Sequence, residues 1–134
     1  MIDFQFIDVK KIALKNSDDW LKKVITTENK QLGKIIFVFC NDYYLLKKNI
    51  QFLKHDTLTD VITVEYSMDG QISGDILISV DRVKENSKKF DVTFLNELDR
   101  VMVHGLLHLL GYNDKSKQDA KLMRSKEDFY LSIK

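Results

Sequence analysis

Proline is absent from this chain and cysteine occurs once. Without proline, the breaks between elements must come from glycine and from polar clusters. The lone thiol, Cys40, excludes an internal disulfide. It suits a reducing compartment, and beside an apolar strand it reads as a small buried side chain. No apolar run approaches the roughly 20 residues that a helix needs to cross a bilayer. The opening segment, MIDFQFIDVKK, lacks the apolar stretch behind a positive head that marks a signal peptide. Together these absences lead us to expect a cytoplasmic protein with no membrane partner. Charge of one sign is missing too: 21 basic and 20 acidic residues leave a formal net charge of +1. Overall charge therefore gives no sign of a nucleic-acid partner. Lys47, Lys48, Lys54, Lys84, Lys88 and Lys89 either converge into a local basic patch or lie on solvated helix faces, and the second is the simpler reading.

What the chain does have is an ordinary globular balance, 44% hydrophobic and 31% charged over 134 residues. That length fits one domain, residues 1–134, which buries roughly two-thirds of its unfolded surface and needs no covalent staple. Residues 2–7 read as a short strand. Asn16 or Ser17 is placed to cap a helix to about Thr27, with Trp20, Leu21, Val24 and Ile25 on one face. Gly33 is expected to end the following loop. The run Ile35-Ile36-Phe37-Val38-Phe39 is the pattern of a central strand covered on both faces. Asn41 or Asp42 then caps a helix carrying Tyr44, Leu45 and Ile50. Residues 60–67 and 72–80 read as strands joined by a hairpin turn at Asp69-Gly70. Helices are expected over 81–89, from Phe94 to Leu110 with Gly111 as the stop, and from a Ser116 cap to about Leu131. The order predicts an α+β fold: a mixed four-stranded sheet flanked on both sides by about five helices, with a metal site at the end of a central helix.

That site rests on His104 and His108. Four residues apart on a helix, their rings share one face, one turn from each other. Two imidazoles so placed can hold one zinc ion. The pair also fits two histidines satisfied by backbone or water. The surrounding helix is apolar on nearly every side, and unpaired polar rings in a core are costly. A shared metal satisfies both at once. Gly111 can turn the chain sharply after the helix, which would bring Asp114 back toward His108. Two histidines and a carboxylate form a catalytic zinc set with a fourth position open to water, and the ion lowers the pKa of that water. A structural site is normally closed by four protein ligands, and no further Cys or His stands nearby to be the fourth. Gly105 occupies the position at which helical zinc proteases carry their glutamate base. The nearest glutamate on the helix is Glu97, two turns earlier.

The segment His104-Gly105-Leu106-Leu107-His108-Leu109-Leu110-Gly111-Tyr112 resembles the signature of the YbeY family of bacterial endoribonucleases. Thr59-Asp60-Val61-Ile62-Thr63 resembles that family's Thr-Asp-Val-Leu-Ser strand, and Gly74-Asp75-Ile76 its Gly-Asp-Ile strand. The likeness runs from about Ile35 to the end. It implies a mixed sheet flanked by helices, one zinc ion per chain, and cleavage of single-stranded RNA in ribosomal RNA maturation and ribosome quality control. Metal-bound water would then act at the phosphodiester, with ribosomal RNA or a ribosomal subunit as partner and lysines along the cleft holding phosphates. Asp60 and Asp75 would build the cleft and orient a ligand histidine. A zinc hydrolase of peptide or amide bonds, or a non-enzymatic ribosome-associated factor, are the competing readings.

This chain departs from the family pattern twice. The family continues Tyr-Asp-His, whereas here Tyr112-Asn113-Asp114 puts a carboxylate in the place of the third histidine. That adds negative charge to the shell of the ion and favours harder metals. In the segment Asn49 to Asp56, Leu53 stands where the family has an arginine thought to serve the phosphodiester chemistry. Lys54 or His55 is the nearest cation able to substitute.

Overall fold

A computed structural model of the protein describes residues 1–53 and 59–134. The chain runs β1 (Ile2–Phe6), α1 (Ser17–Thr27), β2 (Gln31–Cys40), α2 (Asp42–Leu53), β3 (Val61–Glu65), β4 (Gln71–Ser79), α3 (Val80–Lys89), α4 (Phe94–Leu109) and α5 (Lys117–Ser132). The sheet order is β1-β2-β4-β3. β1 and β4 both pair with β2 in parallel, while β3 returns antiparallel to β4. This is the mixed α+β sheet that the pattern of elements predicts. The β3–β4 turn places both Asp69 and Gly70 at positive φ, 54° and 77°. Those angles match the twist of the flanking strands.

Alternation divides the core in two. Ile35, Phe37 and Phe39 of β2 and Ile76 and Ile78 of β4 face Trp20, Leu21, Val24 and Ile25 of α1 and the apolar side of α4. Val38 and Cys40, with Leu77, face the other way onto Leu45 of α2. β2 is therefore covered on both faces, as its unbroken apolar run requires. Each fully buried Leu, Ile or Phe contributes about 1.5–3 kcal/mol of transfer free energy. The continuous interior along α4 is thus the main anchor of the site.

Two local expectations need correction. Gly33 does not end a loop. It lies inside β2 at a shift of register between Leu32 and Ile35, where the Lys34 amide donates to Ser73 Oγ at 2.9 Å. Ile50 lies on α2 as expected, on its exposed side. Asn16 precedes α1 in a left-handed conformation and makes no side-chain cap. Ser116 and Asn41 do act as caps, accepting from the Asp119 and Tyr44 amides at 3.0 and 2.8 Å.

Candidate metal centre

α4 begins and ends where its sequence says it should. Thr93 Oγ1 accepts from the Asn96 amide at 3.1 Å. At the other end Gly111 takes φ +109°. The Gly111 amide then donates to the His108 carbonyl and the Tyr112 amide to the Leu107 carbonyl, both at 3.0 Å. This double closure satisfies the last carbonyls and reverses the chain, which a residue with a Cβ would resist. Between these ends α4 lies close against the sheet. A Cβ at Gly105 would fall 2.7 Å from Ile76 Cγ2 and 3.1 Å from Val61 Cγ2. No side chain fits there, so the glutamate position of the helical zinc proteases is closed by packing.

His104 and His108 emerge from the neighbouring face, half-buried, with ring centroids 4.6 Å apart and nearly perpendicular planes. Their Nε2 atoms are 3.1 Å apart. Asp114 Oδ2 lies 3.4 Å from each of them. The turn therefore does bring Asp114 back to the pair, and one ligand atom from each of the three residues lies within 4.8 Å of the others. The outer nitrogens are already engaged. His104 Nδ1 is 2.6 Å from Glu127 Oε2, and His108 Nδ1 is 3.1 Å from the Tyr112 carbonyl oxygen. Both partners are acceptors, so each Nδ1 carries the proton and each Nε2 presents a lone pair. Two lone pairs and a carboxylate oxygen at such spacing repel one another unless a proton or a cation stands among them. The donor set and its tautomers fit a divalent metal.

The support beneath these residues comes largely from α5. Glu127 is buried, and its Oε1 accepts from Arg100 at 2.9 Å. Arg100 also donates to Asp128 at 2.8 Å. Burial disfavours charge on the His104 ring. The Glu127 hydrogen bond, with the charges of Glu127, Asp114 and Asp60, outweighs it and raises the His104 pKa. Beyond Gly111 the turn is tied down by Glu28, which accepts from the Tyr112 and Tyr130 hydroxyls and from Lys126.

Asp60 and Asp75 do not share a location. Asp60 lines the cleft beside His104 and Asp114. Asp75 has the same alternation as Leu77, on the far face of the sheet, and its Oδ1 accepts from the Tyr66 hydroxyl at 2.7 Å. Among the described residues neither carboxylate is hydrogen-bonded to the His104 or His108 ring, whose Nδ1 atoms meet Glu127 and the Tyr112 carbonyl. Lys54 and His55 lie outside the described residues. No described lysine lines the cleft, whose cations are Arg100 and Arg124. Lys47 and Lys48 instead sit over the rings of Tyr43 and Tyr44 on α2. Sequence reading missed Glu127 and Arg100. Arg100 was legible, since it is one turn before His104 on the same face. Nothing local pointed to Glu127.

A mixed sheet that sets two helix-borne imidazoles and a carboxylate around one point defines a candidate metallohydrolase. A family model described as endoribonuclease YbeY matches residues 3–133, and the chain belongs to that family. It is therefore an enzyme of the nuclease class of hydrolases. Two similar proteins carry the same description. One, from Flavobacterium johnsoniae, is 56% identical over 115 residues, 86% of this chain and 83% of its own. The other, from Flavobacterium psychrophilum, is 51% identical over 134 residues, 99% and 96% of the two chains. The solution structure of TM1509 from Thermotoga maritima matches with a TM-score of 0.72 at 28% identity, covering 98% of this chain and 87% of that one. Among the described residues no helix is long and apolar enough to cross a membrane.

Proposed function

We propose that the protein is a zinc-dependent endoribonuclease that cuts single-stranded RNA in ribosomal RNA maturation and ribosome quality control, in the cytoplasm. The observation that carries the metal is the convergence of His104 Nε2, His108 Nε2 and Asp114 Oδ2 while both Nδ1 atoms are held by acceptors. Membership of the family supports the RNA substrate. His104, His108 and Asp114 hold the ion. Zinc so held supplies a Lewis acid and lowers the pKa of water near neutral pH. Glu127 fixes the orientation and tautomer of His104, and Arg100 fixes Glu127. The Tyr112 carbonyl does the same for His108. Packing closes position 105 to a glutamate base, which argues against a peptide hydrolase of the helical zinc protease type. RNA brings its own nucleophile, the 2′-hydroxyl, and the base that takes its proton need not stand at position 105. With Leu53 in the place of the family's arginine, Lys54 or His55 is the proposed cation at the phosphate.

The test begins with metal content. Protein purified without a histidine tag should carry about one zinc per chain by elemental mass spectrometry, as a single three-ligand site requires. Asp114→Ala should lose it. The zinc form should then cut a single-stranded ribosomal RNA precursor fragment, and removal of zinc by a chelator should stop it. No metal even after zinc is supplied, or cleavage indifferent to the chelator, overturns the reading.

A further inference from the structure

Glu97 stands two turns before His104 on α4 and is only 5% exposed. Among the described residues no donor lies within hydrogen-bond distance of its carboxylate, which lines a cleft of about 320 Å³ that opens beside His104. Its oxygens keep access to the cleft, and the Arg100 and Arg124 guanidiniums attract its charge without a direct hydrogen bond. Its neighbours in the cleft point the same way. Phe90, at the end of α3, offers a ring that is 55% exposed. The Asn86 amide and the Arg124 guanidinium line the cleft too, and neither takes a hydrogen-bond partner among the described residues.

The chemistry of the cleft restricts its ligand. With Glu127 paired to Arg100 and Asp114 turned to the ion, Asp60 and Glu97 face Arg124 alone, so the end of the cleft away from the ion offers little to a phosphate. An exposed aromatic ring and a guanidinium plane suit a flat, neutral, unsaturated ring. The carboxylate, which accepts no hydrogen bond among the described residues, is free to accept N–H donors from a ligand. Seven residues of helix separate Glu97 from His104, about 10 Å along the axis. That is too far for Glu97 to act on the bond being broken at the metal. It is about the reach from a phosphodiester to the outer edge of a base attached to the adjoining ribose.

We propose that this cleft is a nucleobase subsite in which the base next to the scissile phosphate lies against Phe90 and is read by Glu97, and that the base is guanine. Guanine alone among the four bases presents two adjacent donors, N1–H and the 2-amino group, on one edge. Those match the two oxygens of a carboxylate. Adenine, cytosine and uracil each set an acceptor beside their one donor and meet Glu97 with a repulsive lone pair. Asn86 and Arg124 supply donors for the guanine O6 and N7 acceptors. Glu97 is then a specificity-determining residue for the reaction proposed above, and the inference rests on that reading for the identity of the substrate.

The experiment uses the zinc-loaded full chain and short single-stranded RNAs that differ at one base beside a fixed linkage: guanine, inosine, adenine or uracil. Inosine removes only the 2-amino group. We expect kcat/KM at the guanine linkage to exceed the others by about tenfold or more, as the loss of one donor to a buried acceptor implies. Inosine should fall with the poor substrates. Glu97→Gln should abolish the preference while the protein keeps its zinc content. Equal kcat/KM for guanine and inosine in the wild-type chain overturns the inference, and needs no variant to fold. Binding of guanosine and adenosine, followed by NMR shifts of Phe90 and of residues around Glu97, gives an arm independent of cleavage. Guanosine-selective shifts there, absent in Glu97→Gln, support the subsite even if no RNA is cut, in which case the nuclease reading alone fails. No shifts, or shifts equal for the two nucleosides, sink the subsite even if RNA is cut.

Discussion

The Nδ1 of His104 and Oε2 of Glu127 lie 2.6 Å apart, joining α4 to α5 across 23 residues of chain. This contact orients a proposed ligand ring, and it leaves Glu127 shared between a histidine and Arg100. Glu127→Gln keeps the shape but removes the charge. Zinc affinity, measured by competition with a chromophoric chelator, should fall by about tenfold to a hundredfold. Glu127→Ala should also lower stability by on the order of 3 kcal/mol, because it leaves the largely buried Arg100 with only its surface partner Asp128. Unchanged zinc affinity in both variants would show that His104 needs no such support.

Asp114 is the departure from the family pattern that the ion would feel most directly. Asp114→His replaces an anionic oxygen by a neutral imidazole and leaves a higher net charge on the site. Zinc should then be preferred more strongly over manganese and magnesium, and the acidic, rising limb of the cleavage rate should move to lower pH. Side-by-side metal titrations and pH–rate profiles check both. Identical profiles and affinities would refute the effect assigned to the carboxylate.

Gly105 is required by the approach of α4 to the sheet. Gly105→Ala would drive a methyl against Ile76 and Val61. Overpacking of this kind costs about 1–3 kcal/mol, even though alanine favours the helix itself. Thermal unfolding should show a lower Tm than the wild type. A raised Tm would mean that the helix moves off the strands without penalty.

In the metal-free protein the raised pKa of His104 has a definite sign. The folded state binds the proton more tightly than the unfolded chain does. The stabilisation is fully present below the unfolded value, about 6.5. It is lost as pH rises through the folded value. Urea unfolding of metal-free protein between about pH 5 and pH 9 should show this contribution fading upward. Zinc competes with the same proton, so zinc affinity should climb over the same window. A metal affinity independent of pH there would contradict it.

Cys40 is fully buried in β2, and its Sγ donates to the Ile78 carbonyl. Burial, with the charges of Asp81 and Asp42, pushes its pKa up to about 12. At neutral pH it is a thiol and hidden, so iodoacetamide should modify it only in unfolded protein. Rapid labelling of the native state would count against this packing of β2.

The sequence by itself determined whatever depends on neighbours a few residues apart. The spacing of His104 and His108 makes them share a helix face. Thr93 and Gly111 set the ends of that helix, and the Asp69-Gly70 turn joins β3 to β4. The alternation of β2 and β4 follows from covalent geometry and from the need to bury apolar surface. The tertiary structure alone decided which distant groups meet. It placed Glu127 behind His104 and sent Asp75 to the far face. It put Arg100 and Arg124 in the cleft, and turned Glu97 into it without a direct hydrogen bond. These outcomes depend on how α5 docks on α4 and which way each strand faces, and packing over the whole chain sets both. A helix period tells which side of α4 carries a histidine, but not which residue of another helix will stand against it.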